Sequence, residues 1–296
     1  MNSDRITLTD PRYAYERPSY PRQEQEIPGT ETDMAPTPDH GETSYRGSNR
    51  LKGLKTLVTG GDSGIGRAVA LAYAREGADV CFTYLCEDED ATETRRLVEE
   101  AGRKAVAIRM DQRQEGQCID AVDQCVRELG GIDVLVNNAA FQKTYQSLDE
   151  IPADEIARAF ETNVQGLFYF SRAALPKLPA GGSIINTTSI QAYKPSIHLA
   201  PYSATKAGIA NITLSLAEEA INHGVRVNAV APGPVWTPLI PSTFPGDKVP
   251  DFGAGTLLGR PAQPAELAPL YVFLASPMAS FITGEIYGVT GGEKQL

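Results

Sequence analysis

The chain has 296 residues, 42% of them hydrophobic and 22% charged, with a net charge of −10. That length suits one large α/β domain with an appendage, and the acidic balance without a local basic patch excludes a nucleic-acid-coating surface. Four cysteines stand in neither a C-x-x-C nor a zinc-ligand spacing, and three histidines are scattered, so reduced structural thiols and no metal site are expected. The opening MNSDRITLTD has no apolar leader core, and no uncharged apolar run is long enough to cross a bilayer. The expectation is a soluble, cytoplasmic protein that binds neither membrane nor nucleic acid.

Residues 1–50 are rich in Pro, Glu, Thr and Gly and show no sustained apolar period, so they cannot build a core of their own. Tyr13, Tyr15, Tyr20 and Tyr45 supply apolar anchors that a solvating tail lacks. They predict an extended arm packed along the domain or on a neighbouring subunit, ahead of a catalytic domain over 51–296.

From Lys52 the pattern becomes regular. KTLVT, DVCFTY, KAVAIRM, DVLVNN, GSIINTTS, RVNAVAP and EIYGVTGG read as short buried strands, with helices starting near Ile65, Asp88, Gln114, Ala153, Tyr202 and Ala265. Strands alternating with helices predict an α/β fold: one doubly wound, Rossmann-type parallel sheet covered on both faces. Ligands of such a sheet gather at the carboxyl ends of its strands.

The first strand runs into TGGDSGIGRAVA. Gly60, Gly64 and Gly66 stand where a chain must turn tightly and offer backbone N–H groups to a pyrophosphate at a helix start. The spacing is T-G-x-x-x-G-x-G rather than G-x-G-x-x-G, because Val69 takes the last place. The second strand ends in Tyr84, at the position that selects the ribose, followed by Glu87, Asp88, Glu89 and Asp90 with no Lys or Arg. An acid there favours NAD and repels the extra phosphate of NADP, so NAD is expected, with NADP as the alternative. Asp111 and Gln112 end the third strand, within reach of an adenine, and Asn137 and Asn138 end the fourth; each alone is an ordinary strand-end turn residue, but together they outline a dinucleotide cleft.

Asn163 falls inside a predicted helix, where Asn is unfavourable. INTTSIQAY offers Ser189, with Thr187 and Thr188 as alternatives, as the fixed hydroxyl that polarises a substrate carbonyl. Tyr202 and Lys206 stand at i and i+4 on one face of a helix start. A phenol that exchanges protons near neutral pH needs about 4 kcal/mol of help, and a neighbouring ammonium supplies much of it. Phe141, Gln142, Gln191, Tyr193, His198 and Trp236 are candidate pocket residues, with His198 equally a surface residue and Trp236 equally core. The stretch TPLIPSTFPGDKVPDFGAGT has the composition of a mobile lid.

TGGDSGIG, NNAA, the Asn163 segment, TTSIQAYKPSIHLAPYSATK and APGPVWTP together resemble the short-chain dehydrogenase/reductase family, in order and spacing, from about Leu51 to the end. The extended N-terminus is similar to the branch of aldehyde reductase-like and glucose/ribitol dehydrogenase-like proteins. The resemblance implies a catalytic tetrad of Asn163, Ser189, Tyr202 and Lys206. It implies cofactor contacts from Gly60, Ser63, Ile65, Asp111, Asn138, Gly233, Val235 and Thr237, with Tyr202 and Lys206 on the nicotinamide ribose. Ala140 departs from the family's Gly.

On that resemblance the chain is expected to pass a hydride between a nicotinamide cofactor and a small alcohol or carbonyl compound, as a homotetramer. Ser189 would hold the carbonyl, Tyr202 would give or take the proton, Lys206 would lower the phenol's pKa, and Asn163 would hold a water on a proton path to solvent. Two other readings stay open: a non-catalytic dinucleotide sensor on the same fold, and a dehydratase or epimerase that uses its cofactor transiently.

Overall fold

The computed structural model describes residues 8–293, so the first seven residues of the expected arm and the last three of the expected domain lie outside it. The apolar runs form strands β1 (Lys55–Thr59), β2 (Asp79–Tyr84), β3 (Ala105–Arg109), β4 (Val134–Asn137), β5 (Ser183–Thr187), β6 (Arg226–Pro232) and β7 (Ile286–Val289). All pair in parallel in the order β3-β2-β1-β4-β5-β6-β7. Helices α1 (Gly64–Arg75), α2 (Asp88–Glu100), α3 (Glu115–Leu129), α4 (Ala153–Phe160), α5 (Gly166–Ala174), α6 (Ala200–Ala220), α7 (Leu239–Thr243) and α8 (Pro264–Ala275) connect them.

The two-residue side-chain period of a strand divides the core into two layers. Val58, Phe82, Val136 and Ile185 face α1 and α8, where Tyr73, Leu267 and Tyr271 close the packing. Their neighbours Leu57, Cys81, Leu135 and Ile184 face α3, α5 and α6, against Val122, Cys125, Phe170 and Ala217. Cys81, Cys118 and Cys125 are buried free thiols. Among the described residues no helix is long and apolar enough to cross a membrane, and no cluster of three His, Cys, Asp or Glu could hold a metal.

Two elements differ from expectation. The helix around Asn163 is interrupted: α4 and α5 are joined by a π-helical segment, Glu161–Gln165. The extra residue in that turn breaks the 3.6 period and turns Asn163 inward, to 2% exposure. The lid stretch is folded rather than loose, holding α7 and a short 3-10 turn, Val249–Asp251.

The arm explains the lid. Residues 8–50 contribute no strand, yet Tyr20 and Met34 join Trp236, Ile240 and Val249 in a third, small core, with the Tyr20 and Trp236 rings 4.3 Å apart. Trp236 Nε1 donates to Pro36 O at 2.8 Å, Gln25 N to Pro241 O at 2.9 Å and Gly246 N to Glu24 Oε1 at 2.9 Å. Further along, Asp39 O accepts from Ala265 N at 3.0 Å, and the Tyr45 hydroxyl donates to Glu76 at 2.6 Å. The Arg260 guanidinium lies 5.3 Å from the centre of the Tyr15 ring, so Tyr15, Tyr20 and Tyr45 anchor the arm to its own chain, while Tyr13 is 62% exposed and anchors little. Trp236→Ala should cost about 3–5 kcal/mol in urea unfolding and make residues 8–50 the first site of limited proteolysis. A wild-type midpoint with an intact arm would show that the third core adds nothing.

Candidate active site

Consecutive strands run outward in opposite directions from β1 and β4, and the loops leaving their carboxyl ends diverge there. The resulting crevice, about 390 Å³, runs from Tyr84 and Asp111 at one end to Ser189, Tyr202 and Lys206 at the other.

The glycine turn is built by close approach. Gly60 has φ +61°, and a Cβ there would lie 2.9 Å from the Ala139 backbone; one on Gly66 would lie 1.8 Å from Gly60 O. Only unsubstituted carbons let α1 start this close to the end of β4. Asn138 locks the turn, its Nδ2 donating to Thr59 O and Gly60 O at 3.1 Å each. Ala140 lines the crevice beside it, so the methyl group that departs from the expected Gly is accommodated. Gly60, Ser63, Gly64, Ile65, Asn138, Gly233, Val235 and Thr237 all face the crevice. Gly66 does not, and serves the turn from behind.

Around Tyr84 and Asp111 the structure adds partners that the sequence does not announce. Tyr84 pairs in register with Arg109 of β3, whose guanidinium donates to Leu85 O at 3.3 Å and meets Asp88 at 3.0 Å. The end of β2 is thus not purely acidic: pairing across the sheet brings in a cation that lies 21 residues from Asp88 in sequence. Asp111 faces the crevice with both carboxylate oxygens taken by Arg113, at 2.5–3.0 Å. Gln112 is a strut, donating to Thr162 O at 2.7 Å and Ala139 O at 3.3 Å.

At the other end the three hydroxyls after β5 separate by partner. Thr187 Oγ1 is 2.8 Å from the buried Tyr271 hydroxyl, and Thr188 Oγ1 donates to Lys206 O at 2.7 Å. Ser189 caps a short 3-10 turn, accepting from Gln191 N at 3.1 Å, and is the hydroxyl beside Tyr202. Lys206 is 2% exposed; its Nζ donates to Thr187 O at 2.7 Å and lies 5.4 Å from the centre of the Tyr202 ring. Asn163 stands behind the crevice, bonded through both ends of its amide: Oδ1 accepts from Phe141 N at 2.7 Å, and Nδ2 donates to Phe141 O at 2.8 Å and Thr205 Oγ1 at 3.0 Å. Its side chain is therefore a clamp on the Phe141 loop, with both Nδ2 hydrogens used and one lone pair of Oδ1 left over.

The electrostatics also differ from expectation. Burial pushes the Tyr202 phenol up to about 12, against a smaller downward pull from Ser189, and pushes the Lys206 ammonium down to about 7. Burial dominates both groups: each loses hydration, which favours its neutral form. A cationic ring and a ribose docked here would supply the missing charge and hydrogen bonds. The crevice fits a nicotinamide dinucleotide in this respect: it ends in a buried amine with a single carbonyl partner, and begins in a turn that only glycine allows.

Phe141, Gln142 and Gln191 line the crevice, whereas Trp236 belongs to the third core and His198 is exposed, its Nδ1 on Tyr145 O at 2.9 Å. Tyr193 is not among the lining residues. Sequence reasoning placed the arm along the domain but missed its place in the crevice: Ile27, Pro28 and Gly29 form part of the wall, and a Cβ on Gly29 would lie 2.6 Å from Pro238 O. The Pro-Gly pair in EIPGTE marks a turn but says nothing of what the turn touches.

A family model described as enoyl-(acyl carrier protein) reductase matches residues 60–294. The oxidoreductase YhxD of Bacillus subtilis is 50% identical over 290 residues, covering 96% of this chain and 97% of that protein. The glucose and ribitol dehydrogenase of Daucus carota is 45% identical over 280 residues, covering 92% of this chain and 96% of its own. Among solved structures, a short-chain dehydrogenase from Burkholderia cenocepacia in complex with NADP superposes with a TM-score of 0.76 at 32% identity, over 82% of this chain and 98% of that one. With a glycine turn, a parallel sheet and a Ser-Tyr-Lys cluster in one crevice, the chain belongs to the short-chain dehydrogenase/reductase family.

Proposed function

We propose that the chain interconverts a small alcohol and its aldehyde or ketone, with Tyr202 as the proton donor and acceptor. The observation that carries this reading is the convergence of Ser189, Tyr202 and the buried Lys206 at one end of a crevice whose other end is the glycine turn. A bound nicotinamide dinucleotide supplies or accepts the hydride. Ser189 donates to the substrate oxygen, which fixes the carbonyl against Tyr202. The Tyr202 hydroxyl gives its proton to that oxygen in reduction and removes it in oxidation. Lys206 is held by Thr187 O where its charge can stabilise the phenolate, and Asn163 positions Phe141 in the wall.

Polar Gln142 and Gln191 beside apolar Leu199, Ile240 and Phe244 suit a compact molecule with several hydroxyls as well as one carbonyl. The name of the Daucus carota relative supports a sugar or polyol. Relatives named as oxidoreductases and dehydrogenases favour an enzyme over a non-catalytic sensor. The NAD preference expected from the acidic run is weakened by Arg109, and the NADP-bound neighbour supports NADP(H). We read the assembly as a cytoplasmic homotetramer: Phe168 and Leu214, on α5 and α6, are each 51% exposed, and Phe281 before β7 is fully so. Light scattering on the purified chain should give four times the monomer mass, and a monomer would refute that assembly.

Turnover should be followed at the reduced-nicotinamide absorbance band with NAD(H) and NADP(H), over sugars, polyols, aldehydes, ketones and an enoyl thioester. Tyr202→Phe should lower turnover about 10²–10⁴-fold while leaving cofactor binding measurable; wild-type-like turnover would remove Tyr202 from the chemistry. The pH dependence has a sign. Oxidation needs the phenolate and rises with pH, while reduction needs the phenol and falls. Lys206→Met removes the nearby cation, so the inflection of oxidation should move to higher pH; an unmoved inflection would separate Lys206 from the phenol.

A further inference from the structure

The start of α1 already carries an anion from within the chain. Glu31 of the arm is 4% exposed, and its Oε1 accepts from Gly64 N at 2.6 Å, at the glycine turn itself. The same oxygen accepts from His40 Nε2 at 2.9 Å, and the other ring nitrogen of His40 meets Glu42 at 3.0 Å. Glu31 N donates to Asp90 Oδ2 at 3.0 Å, and Asp90 pairs with Arg67 of α1 at 3.2 Å. Glu31 Oε2 is buried with no partner. A carboxylate therefore stands at the helix end that, on the reading above, must receive a diphosphate, and unless neutralised it would repel that diphosphate.

We propose that Glu31 and His40 are positioning residues for the diphosphate of the cofactor: Glu31 closes the Gly64 N–H, leaving the next one, of Ile65, for the phosphates, and the His40 cation cancels the carboxylate's repulsion. The inference rests on the crevice holding NAD(P). The arm is then part of the cofactor site as well as a brace for the lid.

The charges that face this pair support the assignment. Burial alone would lower His40, but Glu31 and Glu42 on its two ring nitrogens outweigh it and raise the imidazole to about 9. Burial raises Glu31, yet His40, Arg67 and the Gly64 N–H together hold it below its usual range. Asp90 is pushed up, by burial first, and Asp62 on the turn is raised to about 7 by burial, Glu87 and Asp90. At neutral pH the pair is an ion pair, and as pH rises through about 9 the carboxylate loses its counter-charge.

The test is calorimetric titration of the full chain with ADP-ribose or its 2′-phosphate, whichever the wild type binds more tightly; both carry the diphosphate but no nicotinamide. At pH 7, His40→Gln should weaken binding about tenfold, because it strands a charge near the phosphates. The double variant Glu31→Gln/His40→Gln should recover to within about threefold of wild type, because it removes that charge. A purely structural pair would give a double variant at least as weak as His40→Gln, and that result overturns the inference. So does an unchanged Kd in His40→Gln. Should His40→Gln not fold, the wild-type pH series decides: the Kd should rise several-fold between about pH 8 and 10 and stay flat in Glu31→Gln, whereas matching profiles overturn the proposal. Absence of binding of both ADP-ribose and its 2′-phosphate by the wild type would sink the oxidoreductase reading too. Normal binding and turnover with no response to these changes would sink this inference alone.

Discussion

Lys206 has been taken out of water and left with one carbonyl, Thr187 O, as its hydrogen-bonded partner. Burying an amine in this way is unfavourable unless something offsets it, and much of the surrounding structure is arranged to hold it. The end of β5 provides the carbonyl, the first turns of α6 aim the side chain back beneath Tyr202, and Thr188 ties that helix to the strand through Lys206 O. The cost appears as an ammonium driven by burial down to about 7 and a phenol driven up to about 12. The chemistry proposed for Tyr202 thus calls for charge beside the phenol, which a docked nicotinamide cation would add to that of Lys206.

The opposite end of the crevice has the complementary problem. There the helix start and the glycine turn concentrate positive potential, and the arm delivers a carboxylate to it. Glu31 at Gly64, with His40 against it, joins the arm electrostatically to the turn, while Trp236, Tyr20 and Met34 join it by packing to the lid. One stretch of chain without strands therefore touches both the glycine turn and the lid. Its Pro28 and Gly29 line the crevice itself. A lid held by a core and several backbone hydrogen bonds is a preformed wall, which contrasts with the loose segment that its Pro and Gly content suggests.

How far the residues alone disclose this site varies from one end to the other. Strand runs such as KTLVT, DVCFTY and RVNAVAP coincide with β1, β2 and β6 residue for residue, because a strand buried on both faces must be continuously apolar. The glycine turn and the Tyr202–Lys206 spacing are equally legible, since both are local: a turn requires particular residues, and an i, i+4 pair meets on any helix. Asn163 shows the boundary. Its position was visible, but its job as a clamp on Phe141 depends on a π turn and on a loop 22 residues away in sequence.

The amino-acid sequence by itself determined the parallel sheet, the glycine-lined helix start and the phenol-amine pair, because each is encoded within one or two turns or strands. Only the tertiary structure decided that Arg109 lies beside Tyr84, that Thr187 and Thr188 are occupied while Ser189 faces the phenol, and that Glu31 reaches Gly64 from 33 residues earlier in the chain. Such contacts are chosen by strand register and by packing of the arm. These are properties of the whole chain's burial, with no local period or motif to announce them.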